Sequence, residues 1–307
     1  MPLVRIATRG SKLALAQAHW VAQRLKELEK DLEVQLVVVK TTGDRILDRP
    51  LATVGGKGLF VKEVEQALLE HRADVAVHSM KDLPAELAEG LVIGAVPERA
   101  DPRDVLVGLG GAGLGGLENG VRVGTSSLRR RAQLKHVCPG LEVVPVRGNV
   151  DTRLRKWREG QVDGLMLAAA GLKRLGIAPP EAAVLVPEQF VPAAGQGLLA
   201  VEVREDDGPV RSLVERLNHE PSAAAAAAER GMLAELGGGC HVPVGAYAQV
   251  EGESLHIIGM VAGADGKPMF RAALSGATED AHALGRALGQ ELKRMGAEQV
   301  LAQAGGW

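Results

Sequence analysis

Aromatic residues are scarce in this 307-residue chain: three Trp, three Phe and one Tyr, 2% in all. That scarcity argues against the stacking platforms on which single-stranded nucleic acid is held. Cysteine is scarcer still. Cys138 and Cys240 cannot form a disulfide framework. Neither lies in a CxxC or Cys/His spacing, so no metal is expected. An excess of one charge is also missing. Lys and Arg total 36 against 38 Asp and Glu, a formal net charge of -2, unlike a general electrostatic binder of DNA or RNA. No stretch approaches the length of an uncharged membrane span. The opening MPLVRIATRGSKLALAQAHW has no uninterrupted apolar run before a cleavage site, so the cytoplasm is the expected compartment.

What is present is an ordinary globular balance, 46% hydrophobic and 24% charged, and an unusual placement of arginine. The run GTSSLRRR (Gly124 to Arg131) follows the apolar stretch VRVG. The run VRGNVDTRLRKW (Val146 to Trp157) overlaps the end of EVVPV. Each apolar stretch reads as a strand, and each basic run opens a segment with helical spacing. Arginine at a strand-to-helix turn, beside unpaired backbone N–H groups, receives carboxylates or phosphates well. A chain with no net positive charge does not need these cations for solubility. The placement therefore points to a small polyanion as ligand.

The first two thirds alternate strand and helix patterns. LVRIAT is a strand, followed by a helix that Ser11 can cap, with Leu13, Leu15, Ala18, Val21, Ala22 and Leu25 at helical spacing. VQLVVVK, DVAVHS and LVIGAV are strands, and LFVKEVEQALLEH a helix. A glycine-rich surface loop, Gly108 to Gly120, precedes a restart of the same pattern. The order implies two parallel α/β lobes, which bind ligands at strand carboxyl ends and between lobes. From about Asn218 the texture changes. PSAAAAAAERGMLAELGGG is a helix stopped by glycines, VGAYAQV, LHIIGMVA and MFRAALSG are antiparallel strands, and the last stretch, from about Asp280, is helical. The expected boundaries are 1–98 plus 196–216 for a first domain, 99–195 for a second and 217–307 for a third, α+β domain.

Several motifs carry chemistry. VAVHSMKDLP places Ser79, Lys81 and Asp82 just past a strand. Asp82 is either a solvated capping carboxylate or an anion kept in a cationic site, useful for stabilising positive charge or moving a proton. IATRGSKLA puts Arg9 and Ser11 at another anion-binding turn. GGKGLFVKEVE reads as an ordinary loop or as a mobile lid carrying Lys57 and Phe60; it lacks the spacing of a phosphate loop. Cys240, in GGGCHVPVG, is either a small buried hydrophobe or a nucleophile or attachment point. Gln196 sits near a chain crossover, where a structural turn is the plainer reading.

These motifs, with TTGD, AAAGLKRLG, PAAGQGLLAVE and AERGMLAELGGGCHVPVGAYA, resemble the porphobilinogen deaminase (hydroxymethylbilane synthase) family. They occur in the family's order over nearly the whole chain. The resemblance implies an enzyme that condenses porphobilinogen, with loss of ammonia, into the linear tetrapyrrole hydroxymethylbilane. It implies a dipyrromethane cofactor joined by a thioether to Cys240. It assigns catalysis to Asp82, which would stabilise the cationic azafulvene left when ammonia departs. It assigns cofactor and substrate carboxylates to Arg9, Ser11, Lys57, Ser79, Lys81, Arg129, Arg130, Arg147, Arg153 and Arg174, and ring stacking to Phe60. Gln196, Thr125, Ser126 and Ser127 are expected to support the site. The implied architecture is two doubly wound lobes resembling type II periplasmic binding proteins, plus a smaller C-terminal α+β domain. The resemblance also implies a monomer.

Two departures stand out. Thr53 occupies a position where many members carry lysine, and the run Ala223 to Ala228 is plainer than usual, though alanine is the best helix former. Two other classes of function compete: a non-catalytic two-lobe binder of a polycarboxylate, and nucleic-acid binding through Arg129, Arg130 and Arg131. The pairing of Cys240 with Asp82 favours the enzyme, because a sensor needs neither.

Overall fold

β-Branched runs and capped amphipathic helices build two five-stranded sheets and one three-stranded sheet in a computed structural model that describes residues 3–42, 61–237 and 242–304. Strand β1 (Leu3–Arg9) leads into helix α1 (Lys12–Leu28). The Ser11 hydroxyl accepts the Ala14 N–H at 3.2 Å, satisfying a donor that the first helical turn leaves open. The apolar face of α1 buries Ala18, Val21 and Leu25 against the first sheet. That sheet orders β2 (Glu33–Val39), β1, β3 (Val75–Ser79), β10 (Leu199–Arg204) and β4 (Leu91–Ala95). Helix α2 (Lys62–Leu69) packs through Val64, Ala67 and Leu68 on the face opposite α1.

The second sheet orders β7 (Glu142–Val144), β6 (Arg122–Gly124), β8 (Gly164–Ala168), β5 (Asp104–Gly108) and β9 (Ala182–Leu185). Helices α3 (Leu128–Val137), α4 (Val150–Arg158) and α5 (Ala169–Arg174) accompany it. The two sheets share a plan. In each, the fourth strand runs antiparallel to both neighbours: β10 between β3 and β4, and β5 between β8 and β9. The expected all-parallel sheets are thus mixed. The reason is the chain path: β5 follows β4 out of the first lobe, and β10 returns from the second. Gly108 closes β5, and two short 3-10 turns (Leu109–Gly111 and Gly113–Gly116) shape the glycine-rich loop after it.

The C-terminal part is a meander of β11 (Val244–Glu251), β12 (Ser254–Ala262) and β13 (Met269–Ala277), covered by α7 (Glu220–Glu235) and α8 (Ala281–Leu292). Helix α6 (Gly208–Glu215) leads into it, and α9 (Glu298–Ala304) ends the described chain. The alanine run of α7 has a packing use: small side chains let α8 come so near that a Cβ on Gly285 would strike the Ala228 carbonyl. Glu229 of α7 ties this part to both chain crossings. Its carboxylate accepts from Arg99 (2.6 Å), from the Gly195 N–H (2.6 Å) and from the Ala248 N–H on β11 (2.7 Å). No described helix is long and apolar enough to cross a membrane.

Candidate active site

The turns at the carboxyl ends of β1 and β3 meet. β3 ends at Ser79 and gives way to a single 3-10 turn, Met80–Asp82, which puts Lys81 and Asp82 at the surface. Gln17 of α1 donates to the Ser79 hydroxyl at 2.9 Å. Arg9, Ser11, Gln17, His78, Ser79 and Asp82 line one cleft of about 60 Å³. Four of the predicted site residues therefore share a cavity.

The second lobe supplies cations. At the end of β6 the hydroxyls of Thr125, Ser126 and Ser127 are spent on the turn. Thr125 accepts the Ser127 N–H, Ser126 donates to the Val146 carbonyl, and Ser127 caps α3 by accepting the Arg130 N–H. The cap places Arg129 and Arg130 in the first helical turn. Both are buried, and both grip Asp104. Arg129 Nη1 lies 2.7 Å from one carboxylate oxygen, and Arg130 Nε and Nη2 lie 3.0 and 2.7 Å from the other. They also donate to the carbonyls of Val191 and Met166. Gln196 completes the cluster, donating to Asp104 at 3.0 Å and to the Pro102 carbonyl at 2.7 Å. Burial pushes the Asp104 carboxyl up, but Arg129 and Arg130 outweigh it and hold it far below the usual range. Of the three arginines of the run, Arg129 and Arg130 are thus buried on a carboxylate, and Arg131 reaches Asp265 at 3.5 Å.

Around this cluster, among the described residues, Lys81, Arg147 and Arg153 bring more positive charge than Asp82 offsets. Lys81, next to Asp82 in the turn, is exposed to solvent at its surface. Loss of hydration and repulsion by Arg130 and Arg129 push its ammonium down to about 8, against the pull of Asp82 and Asp104. Burial likewise pushes Arg153 down to about 10, aided by Arg130 and Arg147 and opposed by Asp82. Arg153 Nε donates to the Gly148 carbonyl at 2.7 Å. Burial takes Arg174 to about 10, and its Nη2 donates at 2.7 Å to the Gly197 carbonyl in the returning crossover. Lys81, Asp82, Arg130, Arg147 and Arg153 thus share one electrostatic field. Cys240, Lys57 and Phe60, with Thr53, lie outside the described residues.

Asp104, Gln17 and His78 were not singled out from sequence. The signal for Asp104 was faint: a carboxylate opening the apolar run DVLVG, where an ionised group needs cationic partners. A larger recess of about 610 Å³ lies elsewhere, between β4 and α7. It lacks converging cations. Its Arg230 is committed to the carbonyls of Pro84 and Ala85.

Residues 4–212 match the family model described as porphobilinogen deaminase, dipyromethane cofactor binding domain. Residues 223–294 match that of the porphobilinogen deaminase C-terminal domain. The porphobilinogen deaminase of Syntrophobacter fumaroxidans is 50% identical over 301 residues, covering 98% of this chain and 97% of the relative. Those of Syntrophomonas wolfei and Geobacter sulfurreducens are each 48% identical over 300 residues. They cover 98% of this chain, and 98% and 94% of the relatives. Among solved structures, the VFT2 domain of BvgS from Bordetella pertussis is a loose likeness. It covers 70% of this chain and 86% of its own, at TM-score 0.42 and 13% identity.

Proposed function

This chain belongs to the porphobilinogen deaminase family, and from that premise we propose how its own residues serve the activity. The chain is a transferase that condenses four porphobilinogen molecules head to tail, releasing ammonia, to form the linear tetrapyrrole hydroxymethylbilane. The observation that carries the reading is the company Asp82 keeps. It is a solvent-facing carboxylate beside Lys81, within the field of Arg153, in a cleft walled by Arg9, Ser11 and Ser79.

The dipyrromethane cofactor, when bound, supplies the pyrrole carbon from which the product grows. The described donors suit such a group. Lys81 is repelled by Arg129 and Arg130, and Arg153 by Arg130 and Arg147, so acetate and propionate side chains entering among them relieve like-charge repulsion. Arg9, Ser11, Ser79, Lys81, Arg147, Arg153 and Arg174 hold cofactor and substrate carboxylates. Arg129 and Arg130 act from behind: with Asp104 they form a cluster of net charge +1, adding positive potential to the cleft. Asp82 stabilises the cation left on the substrate as ammonia departs and takes part in the proton movements that follow. Lys57 and Phe60 serve the cleft as a lid, and Cys240 tethers the cofactor by a thioether. The protein works as a cytoplasmic monomer of three domains, 1–98 plus 196–216, 99–195 and 217–307. Light scattering and limited proteolysis check the monomer and the boundaries.

The test is the intact mass of purified protein, wild type beside Cys240→Ser. A mass increment equal to a dipyrromethane on wild type alone, with hydroxymethylbilane formed from porphobilinogen, is the expected outcome. Wild type that gains no mass after incubation with porphobilinogen, and forms no product, refutes it.

A further inference from the structure

Asp82 ends a 3-10 turn of three residues, Met80–Asp82, whose last two side chains are exposed. The Leu83 N–H closes the turn on the Met80 carbonyl at 3.1 Å. So short a piece of backbone is a loose mount for a carboxylate that must meet a reacting atom. A misplacement of about 1 Å can cost about 10²-fold in rate. The turn therefore needs support from outside itself.

Part of that support is the strand beside it. Leu199 of β10 pairs with Ser79, and Ala200 with His78, which fixes where the turn begins. His78 Nε2 lies 3.0 Å from Glu202 Oε2 on the same strand. Just ahead of β10, the Leu198 carbonyl accepts the Met80 N–H at 3.1 Å. The Met80 side chain is buried in one cluster with Leu198, Ala200 and Ala226 of α7.

The rest comes from Gly195, in the crossover returning from the second lobe. Its φ is +75°, a conformation that strains any residue with a side chain. A Cβ built on it would stand 2.6 Å from Met80 Cγ, 2.9 Å from the Lys81 nitrogen and 3.0 Å from the Met80 carbonyl carbon. Two of these three atoms are backbone of the turn itself, in the peptide that joins Met80 to Lys81. They cannot swing aside as the end of a flexible side chain could. Glycine is what lets crossover and turn lie this close.

Gly195 is in turn held firmly. Its N–H donates to Glu229 Oε2 of α7 at 2.6 Å, and its carbonyl accepts the Leu198 N–H at 3.1 Å. Its neighbour Gln196 is bonded to Asp104 and to the Pro102 carbonyl. One residue on, the Gly197 carbonyl accepts the Ala100 N–H at 3.2 Å, so the outgoing and returning crossovers are tied together. The crossover is thus a bracket fixed to the C-terminal part on one side and to the second lobe on the other.

We propose that Gly195 is a positioning residue for Asp82: the bracket it forms is the surface against which the catalytic turn is set. The proposal rests on the deaminase reading, and it assigns the placement of Asp82 to a residue that acts through the backbone of Met80 and Lys81. A side chain at 195 pushes that backbone and moves Asp82 away from the charge it must stabilise. Arg147 and Arg153 stand on the second lobe and keep their places. The rate of the chemical step therefore falls while substrate capture is kept.

Four variants, each loaded with cofactor and verified by intact mass, test this against wild type at a temperature where all are folded. Gly195→Ala adds the Cβ. Gly195→Asn adds the same Cβ on a residue that accepts positive φ more readily. Met80→Leu, a mild change of volume for a core, branches at the carbon that faces Gly195. Gly108→Ala is the matched control: its φ is +93° and its Cβ would stand 2.5 Å from the Asp163 carbonyl oxygen, at the end of β5 in the second lobe. Both Gly195 variants are expected to lose about 10²-fold in kcat, with KM near the wild-type value and the cofactor mass intact. Met80→Leu is expected to lose a smaller factor in kcat. Gly108→Ala is expected to melt lower and keep its kcat. A folded Gly195 variant with wild-type kcat overturns the proposal. So does a Gly108→Ala enzyme that loses as much kcat, since strain anywhere would then be the cause. If neither Gly195 variant folds, wild-type kcat in Met80→Leu overturns it. Failure of the deaminase reading looks different, because wild type itself then forms no hydroxymethylbilane.

Discussion

Asp104 opens β5 and meets the arginines at the start of α3, whereas Asp82 closes the turn after β3 and keeps company with Lys81 and Arg153. Asp104 is fully buried and takes hydrogen bonds from Arg129, Arg130 and Gln196. Asp82 is open to solvent in a cleft where positive charge is in surplus. The difference lies in satisfaction rather than residue type. A carboxylate whose oxygens are filled by the protein's own donors can only hold the scaffold. One left open among crowded cations is available to a ligand and to a reaction.

Breaking that contrast gives the largest effects. Asp104→Asn leaves Arg129 and Arg130 buried with their charge uncompensated, an expected loss of about 3–5 kcal/mol of stability, read by urea unfolding. The wild-type carboxyl is depressed, so its stabilisation is present above the ordinary carboxylate range and fades only as the pH falls well below it. The variant should lack that acid-dependent component. Asp82→Asn, by contrast, should fold and keep its cofactor while turnover drops about 10²–10³-fold, the scale of a lost electrostatic contact to a transition state. Near-normal turnover would remove Asp82 from the chemistry.

Smaller effects sharpen the comparison. Without its cofactor the cleft keeps its repelling cations, so a Cys240→Ser apoprotein should melt below the holoprotein by calorimetry. Equal melting temperatures would show that the cations are relieved some other way. Lys81 is charged below about 8, so substrate capture should be fullest below that pH and decline as pH rises through it. Lys81→Arg should move the decline upward in a kcat/KM profile. For folding the sign is opposite. A lysine with a lowered pKa opposes folding while charged, so stability gains as pH climbs from about 8 toward 10.5. The smallest effect belongs to Lys12 and Asp151, an exposed pair at 2.7 Å that bridges the two lobes. Lys12→Ala should cost about 0.2–1 kcal/mol and become silent in high salt.

Local chemistry was legible in the sequence wherever it acts over a few residues. The Ser11 cap, the strands before each arginine run, and the alternation behind β11, β12 and β13 all depend on neighbours along the chain. What escaped depends on distant partners. Nothing near Asp104 reveals that Arg129, Arg130 and Gln196 converge on it. Nothing in LLAVEVR reveals that this strand inserts antiparallel between β3 and β4, or that Glu202 meets His78 there. The arginines of GTSSLRRR were readable as cations at a helix start. Their burial was not, because it requires a carboxylate from a different strand.

The position of β10 bears on how the protein is made. The first lobe begins at residue 3, yet its sheet cannot be completed until residues 199–204 have left the ribosome. The strands of the second sheet are all present once Leu185 has emerged. Nascent chains halted after residue 195 should therefore show protease resistance in residues 99–195 before it appears in the first lobe. For much of synthesis β3 and β4 stand with bare edges on either side of an empty slot, the kind of surface on which unfinished chains aggregate. The lobe translated first is the one finished last, and it is where a nascent-chain chaperone has most to shield.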